Sequence, residues 1–120
     1  MNKLMNPNYP EGKNLFEGKN ILLTAAAGSG IGFSTAKRFL EEGANVFISD
    51  VHQARLDKAV KQLQDLGLGD VDGCLCNVTD DKEIEAMFSQ ALDRYSSIDA
   101  VINNAGLGGE SLLESMSNDA

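Results

Sequence analysis

Residues 20–32 read Asn-Ile-Leu-Leu-Thr-Ala-Ala-Ala-Gly-Ser-Gly-Ile-Gly, an apolar run that leads directly into a tract of small residues. The run at 20–24 is short and apolar, as expected for a parallel strand that is buried on both faces. From Ile31 onward the apolar residues recur at helical spacing, and Gly43 stands where a left-handed residue would end the helix. The sequence therefore predicts a strand, a glycine-rich turn and a helix in succession.

The same alternation continues along the chain. The expected strands are at 20–24, 46–50, 71–78 and 100–103, with helices between them. Strands that alternate with helices of about a dozen residues imply right-handed crossovers and a parallel sheet. We therefore predict an α/β protein with a Rossmann-type, doubly wound parallel sheet that is truncated after its fourth strand and has the strand order 3-2-1-4.

The length of 120 residues fits one domain. Residues 1–15 are polar, contain both prolines and show no periodicity, so we interpret them as a flexible arm. Residues 16–120 are interpreted as the amino-terminal part of a dinucleotide-binding Rossmann domain. The arm has no apolar signal region and the chain has no membrane-length apolar segment, which favours a cytoplasmic location and no membrane partner.

Composition argues against two classes of partner. The net charge is −8, from 18 acidic and 10 basic residues, and no Lys/Arg cluster is present, so a nucleic-acid partner is not expected. Cys74, Cys76 and His52 are the only cysteines and the only histidine, too few ligands for a tetrahedral zinc site. We interpret the two thiols as small buried strand residues, and His52 as a solvated loop residue.

The glycine-rich turn predicts a site for a dinucleotide. It follows a strand and opens a helix, so its glycines would let the backbone and the helix N-terminus approach a pyrophosphate. Asp50 lies 18 residues after Gly32, at the end of the second strand, where its carboxylate can accept hydrogen bonds from ribose hydroxyls. The alternative for Asp50 is a helix-capping role. Neither Ser29 nor Val51 offers a cation for a 2′-phosphate, so NAD is expected as the cofactor in preference to NADP.

Four segments together resemble the short-chain dehydrogenase/reductase family in its common single-domain form: 24–32, Asp50, 77–80 and the tetrapeptide Asn-Asn-Ala-Gly at 103–106. Two positions depart from the family pattern. Ala26 replaces the first glycine of G-x-x-x-G-x-G, which we expect to cost about 1 kcal/mol if that position needs a positive φ. Asn77 replaces the usual aspartate, and its amide oxygen is expected still to accept a hydrogen bond from the adenine amino group.

The resemblance implies a set of cofactor-binding residues, among which Val78 would line the adenine pocket and the backbone at 104–106 would border the adenosine and ribose. The full set is Ala26, Ser29, Gly30, Ile31, Gly32, Asp50, Asn77, Val78, Asn104, Ala105 and Gly106. For Asn103 we prefer a structural role, in which its side chain ties neighbouring strand ends together.

The resemblance also implies the activity, which is an NAD-dependent interconversion of a secondary alcohol and a ketone in a small-molecule substrate by a homo-oligomer. Reductases of 3-oxoacyl thioesters and dehydrogenases of steroid-like hydroxyls are the two nearest kinds of enzyme. The family's catalytic serine and Tyr-x-x-x-Lys pair are expected beyond Ala120, and we interpret neither Tyr9 nor Tyr95 as that tyrosine. No catalytic residue is therefore assigned, and the 120 residues alone are expected to be inactive. The alternative is a nucleotide-binding or partner-binding module without turnover.

Overall fold

The computed structural model of the protein describes residues 8–27 and 30–104. Within them the strands are β1 (Asn20–Leu23), β2 (Asn45–Asp50), β3 (Val71–Leu75) and β4 (Ala100–Ile102), and the helices are α1 (Ile31–Glu41), α2 (Gln53–Gln64) and α3 (Asp81–Tyr95). All the strand pairs are parallel, and the order across the sheet is β3-β2-β1-β4. The predicted fold class and strand order are thereby confirmed.

Helices cover both faces of the sheet because successive strand residues point to opposite sides. Ile21 and Leu23 of β1 pack with buried residues of α1 and α2, whereas Leu22 and Phe47 pack on the other face with Met87 and Ala91 of α3. β1 and β2 therefore need apolar residues at nearly every position. This explains their continuous apolar runs and fixes them as the centre of the sheet.

Three strands are shorter than the sequence pattern predicts. β1 and β4 each end one residue early, and β3 ends at Leu75 instead of Val78. The reason at β3 is a turn: the side-chain oxygen of Asn77 accepts hydrogen bonds from the backbone amide and the hydroxyl of Thr79. Asp80 then caps α3 by accepting from the amides of Lys82 and Glu83, as its capping side chain predicts.

Polar side chains join the amino ends of the strands. The amide of Asn45 donates to the side-chain oxygen of Asn20 at 3.0 Å, and the backbone amide of Asp70 donates to the side-chain oxygen of Asn45 at 3.0 Å. Arg94, near the end of α3, donates from Nε and Nη2 to the two carboxylate oxygens of Asp70 at 2.6 and 2.9 Å. This edge is tied together by its own side chains, and the opposite edge is the one that carries the predicted site.

The described part of the amino-terminal arm lies against α1. The Tyr9 hydroxyl donates to Glu41, and the Arg38 guanidinium lies 5.4 Å from the centre of the Tyr9 ring. Arg38 also donates to the carbonyl oxygen of Pro10 at 2.8 Å. These contacts are exposed, so each is worth little in free energy, and the flexibility of residues 1–15 stays a prediction.

Candidate functional site

The carboxyl end of β1 leads into the N-terminus of α1 through the glycine-rich turn. Gly30 is the N-cap residue of α1, and a Cβ atom added to it would meet no atom within 4 Å in the part of the chain that the structure describes. The first turn of α1 contains no acidic residue, and no side chain of the described residues caps it. The backbone here is open, and the unpaired amides and the positive end of the helix dipole favour an anion.

The positive φ considered for Ala26 occurs at the preceding residue, Ala25. Ala25 has φ +51°, whereas Ala26 is not among the non-glycine residues with positive φ, and its side chain is completely buried. The Ala26 amide donates to the carbonyl oxygen of Ser49 at 3.0 Å, which joins the turn to β2. The condition for a cost at position 26, a positive φ, is therefore not met, because the left-handed step falls one residue earlier.

Two asparagines after β4 hold this turn in place. The Thr24 hydroxyl donates to the side-chain oxygen of Asn103 at 3.1 Å, which confirms the structural role expected for Asn103. The side-chain amide of Asn104 donates to the carbonyl oxygen of Ala25 at 3.1 Å. A Cβ atom on Gly32 would lie 2.5 Å from that amide nitrogen and 2.9 Å from the Ala25 oxygen. Gly32 is thus required for close packing, while Gly30 faces open space.

Asp50, at the carboxyl end of β2, is the charged group of the site. Its Oδ1 accepts hydrogen bonds from the backbone amides of Val51 at 2.7 Å and His52 at 3.1 Å, and from Nη2 of Arg55 at 2.7 Å. Burial by itself raises the pKa of this carboxyl, but these three donors outweigh burial and hold its pKa below the ordinary value. None of the described residues donates to Oδ2, so that oxygen can accept from a ligand.

Arg55 was missed at the sequence level, and the expectation that Asp50 has no neighbouring cation is wrong. Arg55 is the third residue of α2 and stands five positions after Asp50. A long side chain in the first turn of the following helix can reach back to the end of the strand. The place of Arg55 in the first turn of the predicted helix is the sequence signal from which this contact could have been expected. Val51 and Ser29 carry no cation, and the cation comes instead from the helix that follows β2.

Asn77 and Val78 lie in the turn between β3 and α3. The Asn77 side-chain oxygen already accepts from two donors of Thr79, at 3.0 Å from its amide and 2.7 Å from its hydroxyl. Both lone pairs are occupied, so the amide oxygen is not the atom that this side chain offers to an adenine. Val78 is half-buried and packs against the core beneath α3. Ser29, Ala105 and Gly106, the other predicted site residues, lie outside the described residues.

Neither tyrosine lies in this site. Tyr95 packs on the core beneath α3 and donates to the carbonyl oxygen of Val46 at 3.0 Å, so it is structural as expected. Tyr9 does stand four residues before Lys13, a Tyr-x-x-x-Lys spacing that the sequence interpretation overlooked. Tyr9 and Lys13 do not lie on a helix, because both precede β1 in an irregular segment. Tyr9 itself contacts the last turns of α1.

The two cysteines are buried, as expected, but Cys76 lies one residue beyond the end of β3 and is not a strand residue. Cys74 lies in β3, and burial raises the pKa of its thiol to about 11. Burial also raises the pKa of Cys76. Both thiols are therefore protonated and poorly reactive near neutral pH. In the described ranges no three His, Cys, Asp or Glu side chains come together as a metal site, and no helix there has the length and apolarity to cross a membrane.

Comparison with known proteins gives a family and several relatives. The family model for short chain dehydrogenase matches residues 19–120. The chain is 42% identical over 119 residues to (5R,7aS)-5-hydroxy-7a-methyl-1-oxo-2,3,5,6,7,7a-hexahydro-1H-indene-carboxyl-CoA reductase of Mycobacterium tuberculosis, covering 99% of this chain and 45% of that protein. It is 41% identical over 100 residues to 3-oxoacyl-(acyl-carrier-protein) reductase of Thermotoga maritima, covering 83% of this chain and 40% of that protein. The chain thus spans less than half the length of these curated relatives.

Solved structures agree with the sequence relatives. A short chain dehydrogenase from Mycobacterium smegmatis superimposes with a TM-score of 0.82 at 44% identity, covering 94% of this chain and 46% of that one. An actinorhodin polyketide ketoreductase with NADPH gives 0.72 at 31% identity, over 90% and 40% of the two chains. An NAD+-bound xylitol dehydrogenase gives 0.73 at 31% identity, over 78% and 35%. Relatives with either nicotinamide cofactor therefore share this half of the fold.

Proposed function

Because the chain belongs to the short-chain dehydrogenase family, we propose that its carboxyl sheet edge binds NAD and that the whole protein interconverts a secondary alcohol and a ketone. One observation carries the proposal. The open Gly30 backbone over the N-terminus of α1 and the buried carboxylate of Asp50 lie at the ends of two adjacent parallel strands, β1 and β2. An anion site beside an acceptor of hydroxyl hydrogen bonds suits the pyrophosphate and ribose of a dinucleotide.

The residues of the turn would each hold a different part of NAD. Gly30 and the first amides of α1 would bind the pyrophosphate, and Ile31, whose side chain is 81% exposed, would present an apolar surface beside it. Oδ2 of Asp50 would accept from the adenosine ribose hydroxyls. Asn77 would face the adenine through its Nδ2 donor, since Oδ1 is bound to Thr79. Asn104 would keep the turn in shape, and its backbone with 105–106 would border the ribose.

The preference for NAD over NADP rests on charge. A 2′-phosphate beside Asp50 would bring like charges together in a partly buried place, which costs binding energy. Arg55 reduces that repulsion, so we expect the preference to be modest in size. The solved relatives give no decision between the two cofactors, because one is described with NADPH and another with NAD+.

Catalysis is proposed to depend on residues that these 120 do not contain. NAD supplies the nicotinamide that accepts or donates the hydride. This chain's part is to hold the cofactor, and positioning of reactants is a large fraction of enzymatic rate enhancement. Proton transfer to the substrate oxygen needs a general acid or base near it. Tyr95 packs in the core and Tyr9 lies against α1, so we assign this role to neither.

The substrate class is proposed from the relatives. The Mycobacterium tuberculosis and Thermotoga maritima relatives are named for ketones carried on thioesters, and 7alpha-hydroxysteroid dehydrogenase of Escherichia coli, at 36% identity over 93 residues, for a steroid hydroxyl. That match covers 78% of this chain and 36% of the enzyme. A ketone carried on a thioester is favoured, because two relatives at 42% and 41% identity are named as reductases of an oxo compound on coenzyme A and of a 3-oxoacyl group on acyl carrier protein. We propose no nucleic-acid or membrane partner.

Calorimetric titration with NAD tests the binding step. We expect a saturable heat at one site for the protein and its loss in Gly30→Ala, in which a Cβ atom would occupy the open space above the turn. Gly18→Ala is a control away from the site: an added Cβ atom there meets no described atom within 4 Å, but φ +74° strains the backbone, so it shows what destabilisation alone does to binding. Equal affinity of the parent and Gly30→Ala would overturn the proposal. Turnover is tested separately, by NADH absorbance with a 3-oxoacyl thioester and with an oxosteroid.

A further inference from the structure

The strand β3 forms one edge of the described sheet, and its outer side is open. On its inner side the Val46 amide of β2 donates to the carbonyl oxygen of Asp70 at 2.9 Å, just before β3 begins. In a parallel ladder, alternate residues of a strand bond to the same neighbour. The even-numbered residues of β3 therefore bond to β2, and the odd-numbered ones point their N–H and C=O groups outward.

These outward groups are only partly satisfied. The carbonyl oxygen of Val71 accepts a hydrogen bond from Nε2 of Gln64 at 3.0 Å. Among residues 8–27 and 30–104, no donor or acceptor meets the outward backbone groups of Gly73 and Leu75. A row of unpaired backbone groups at a sheet edge is a template for a further strand.

A groove of about 610 Å³ runs along this edge. The helix α2 forms one wall, and Gln90 of α3 lies on the other side. Leu56 and Val60 make part of the groove apolar, and the side chain of Leu75 is 43% exposed beside them. The groove therefore offers both backbone hydrogen bonds and an apolar contact to a strand that enters it.

The α2 wall of the groove carries two charges of opposite sign, Asp57 and Lys61, one helical turn apart. The Lys61 side chain is 78% exposed and has only a loose pair with Asp65, at 3.7 Å, so it can reach another acceptor. A twofold axis that passes between these two positions would place Asp57 of one copy opposite Lys61 of the other, and the reverse. The charges of the groove wall are therefore complementary to those of a second copy of the same wall.

We propose that the β3 edge is a docking surface for a second copy of this chain, in antiparallel pairing centred on Gly73. The two copies of Gly73 would exchange two hydrogen bonds, and Leu75 would pair with Val71, whose carbonyl oxygen keeps a lone pair beside Gln64. The two four-stranded sheets then form one continuous sheet, with α2 packed beside its copy. Their carboxyl edges point in opposite directions, so both candidate sites stay open. This inference does not depend on the proposed function.

Charge reversal across the axis tests the geometry. Asp57→Lys places two lysines of each copy opposite each other, and Lys61→Glu does the same with two acids. Each variant alone should raise the dimer dissociation constant at least about tenfold in sedimentation equilibrium. Glu85→Lys is the matched control for Asp57→Lys: it changes the net charge equally at an exposed position of α3 that does not line the groove, and should change the constant less than about twofold.

Mixing the two variants should restore the dimer, because each lysine then faces an acid. One variant is labelled uniformly with nitrogen-15, so that the mixed dimer has its own mass in native mass spectrometry. We expect about nine in ten dimers to be mixed, against about half for association that ignores these charges. A statistical mixture would overturn the inference, and so would a parent that is monomeric at every concentration or a Glu85→Lys variant that dissociates as readily as Asp57→Lys.

Two additional substitutions separate the edges of the sheet. Leu75→Lys, added to both variants, places a charge on the edge that pairs and should abolish the mixed dimers. Val101→Lys, added to both variants, places the same charge on β4 and should leave the preference for mixed dimers unchanged. Mixed dimers that survive Leu75→Lys, or that are lost with Val101→Lys, would overturn the assignment to β3.

Discussion

Substitution of Gly32 by alanine is expected to damage the turn, whereas the same substitution at Gly30 is not. A Cβ atom on Gly32 would lie 2.5 Å from the Asn104 amide nitrogen, 2.9 Å from the Ala25 carbonyl oxygen and 3.0 Å from the Ala26 Cα. Two of these are backbone atoms of a turn that is already joined to β2 and β4. The methyl group therefore cannot be accommodated by a side-chain movement alone.

Three contributions set the expected change in the free energy of unfolding of Gly32→Ala. Overpacking at a tight site costs about 1–3 kcal/mol. Displacing Asn104 breaks its hydrogen bond to Ala25, which is worth about 1 kcal/mol. Replacing glycine by alanine in a helix returns at most about 1 kcal/mol. The free energy of unfolding of Gly32→Ala should therefore fall by about 1–3 kcal/mol.

Urea unfolding followed by circular dichroism measures this difference, since the chain has no tryptophan to report by fluorescence. Gly30→Ala is the matched control. It adds the same methyl group at the start of the same helix, where no atom lies within 4 Å, and should cost less than about 1 kcal/mol. A Gly32→Ala protein as stable as the parent would refute the reasoning, and so would equal losses in the two variants.

Three further results are expected. Ala25→Gly should raise the free energy of unfolding by up to about 1 kcal/mol, because it relieves the strain of φ +51°. Ala26→Gly, which restores the family's glycine, should lower the free energy of unfolding. Urea titrations that give the reverse order would contradict the observed turn. Asp50 has a lowered folded-state pKa, so its stabilisation is present above its ordinary pKa and is lost as pH falls through the folded-state value. Unfolding free energies measured from pH 6 to pH 2 should fall less steeply for Asp50→Asn, and parallel curves would contradict this. Finally, β4 forms one edge of the described sheet with Val101 45% exposed, so the 120 residues alone should self-associate on sedimentation as concentration rises; a compact monomer at every concentration would contradict that expectation.

Much of the fold can be predicted from the sequence because several independent patterns indicate each helix and strand. Continuous apolar runs specify β1 and β2, and apolar residues at helical spacing, such as Ile84, Met87 and Ala91, specify α3. Gly43 at φ +92° follows the end of α1 as predicted. The strand ends were less predictable, because local side-chain hydrogen bonds decide them. At β3 the apolar pattern runs on to Val78, but Asn77 bonds to Thr79 and ends the strand.

The sequence predicts which residues meet at the candidate site but not the contacts between their side chains. Strand ends and the glycine turn follow from chain order, so Gly30 and Asp50 come to one edge of the sheet. Contacts between side chains distant in sequence have no such signal. Asn104 reaches Ala25 across 79 positions, and only the three-dimensional structure shows why Gly32 must be glycine. The contact of Arg55 with Asp50 depends on a rotamer, which residue spacing permits but does not specify.

The most direct test of the account is a titration of isotope-labelled protein with NAD, followed in amide proton–nitrogen spectra. The account predicts saturable shifts at Gly30, Ile31, Val51 and Asn77, at the carboxyl edge of the sheet. It predicts none at Asn45, whose side chain belongs to the polar cluster that joins the amino ends of the strands. Shifts confined to the amino edge, or no saturable shift at any NAD concentration, would contradict the claim that the glycine turn and Asp50 form a dinucleotide site.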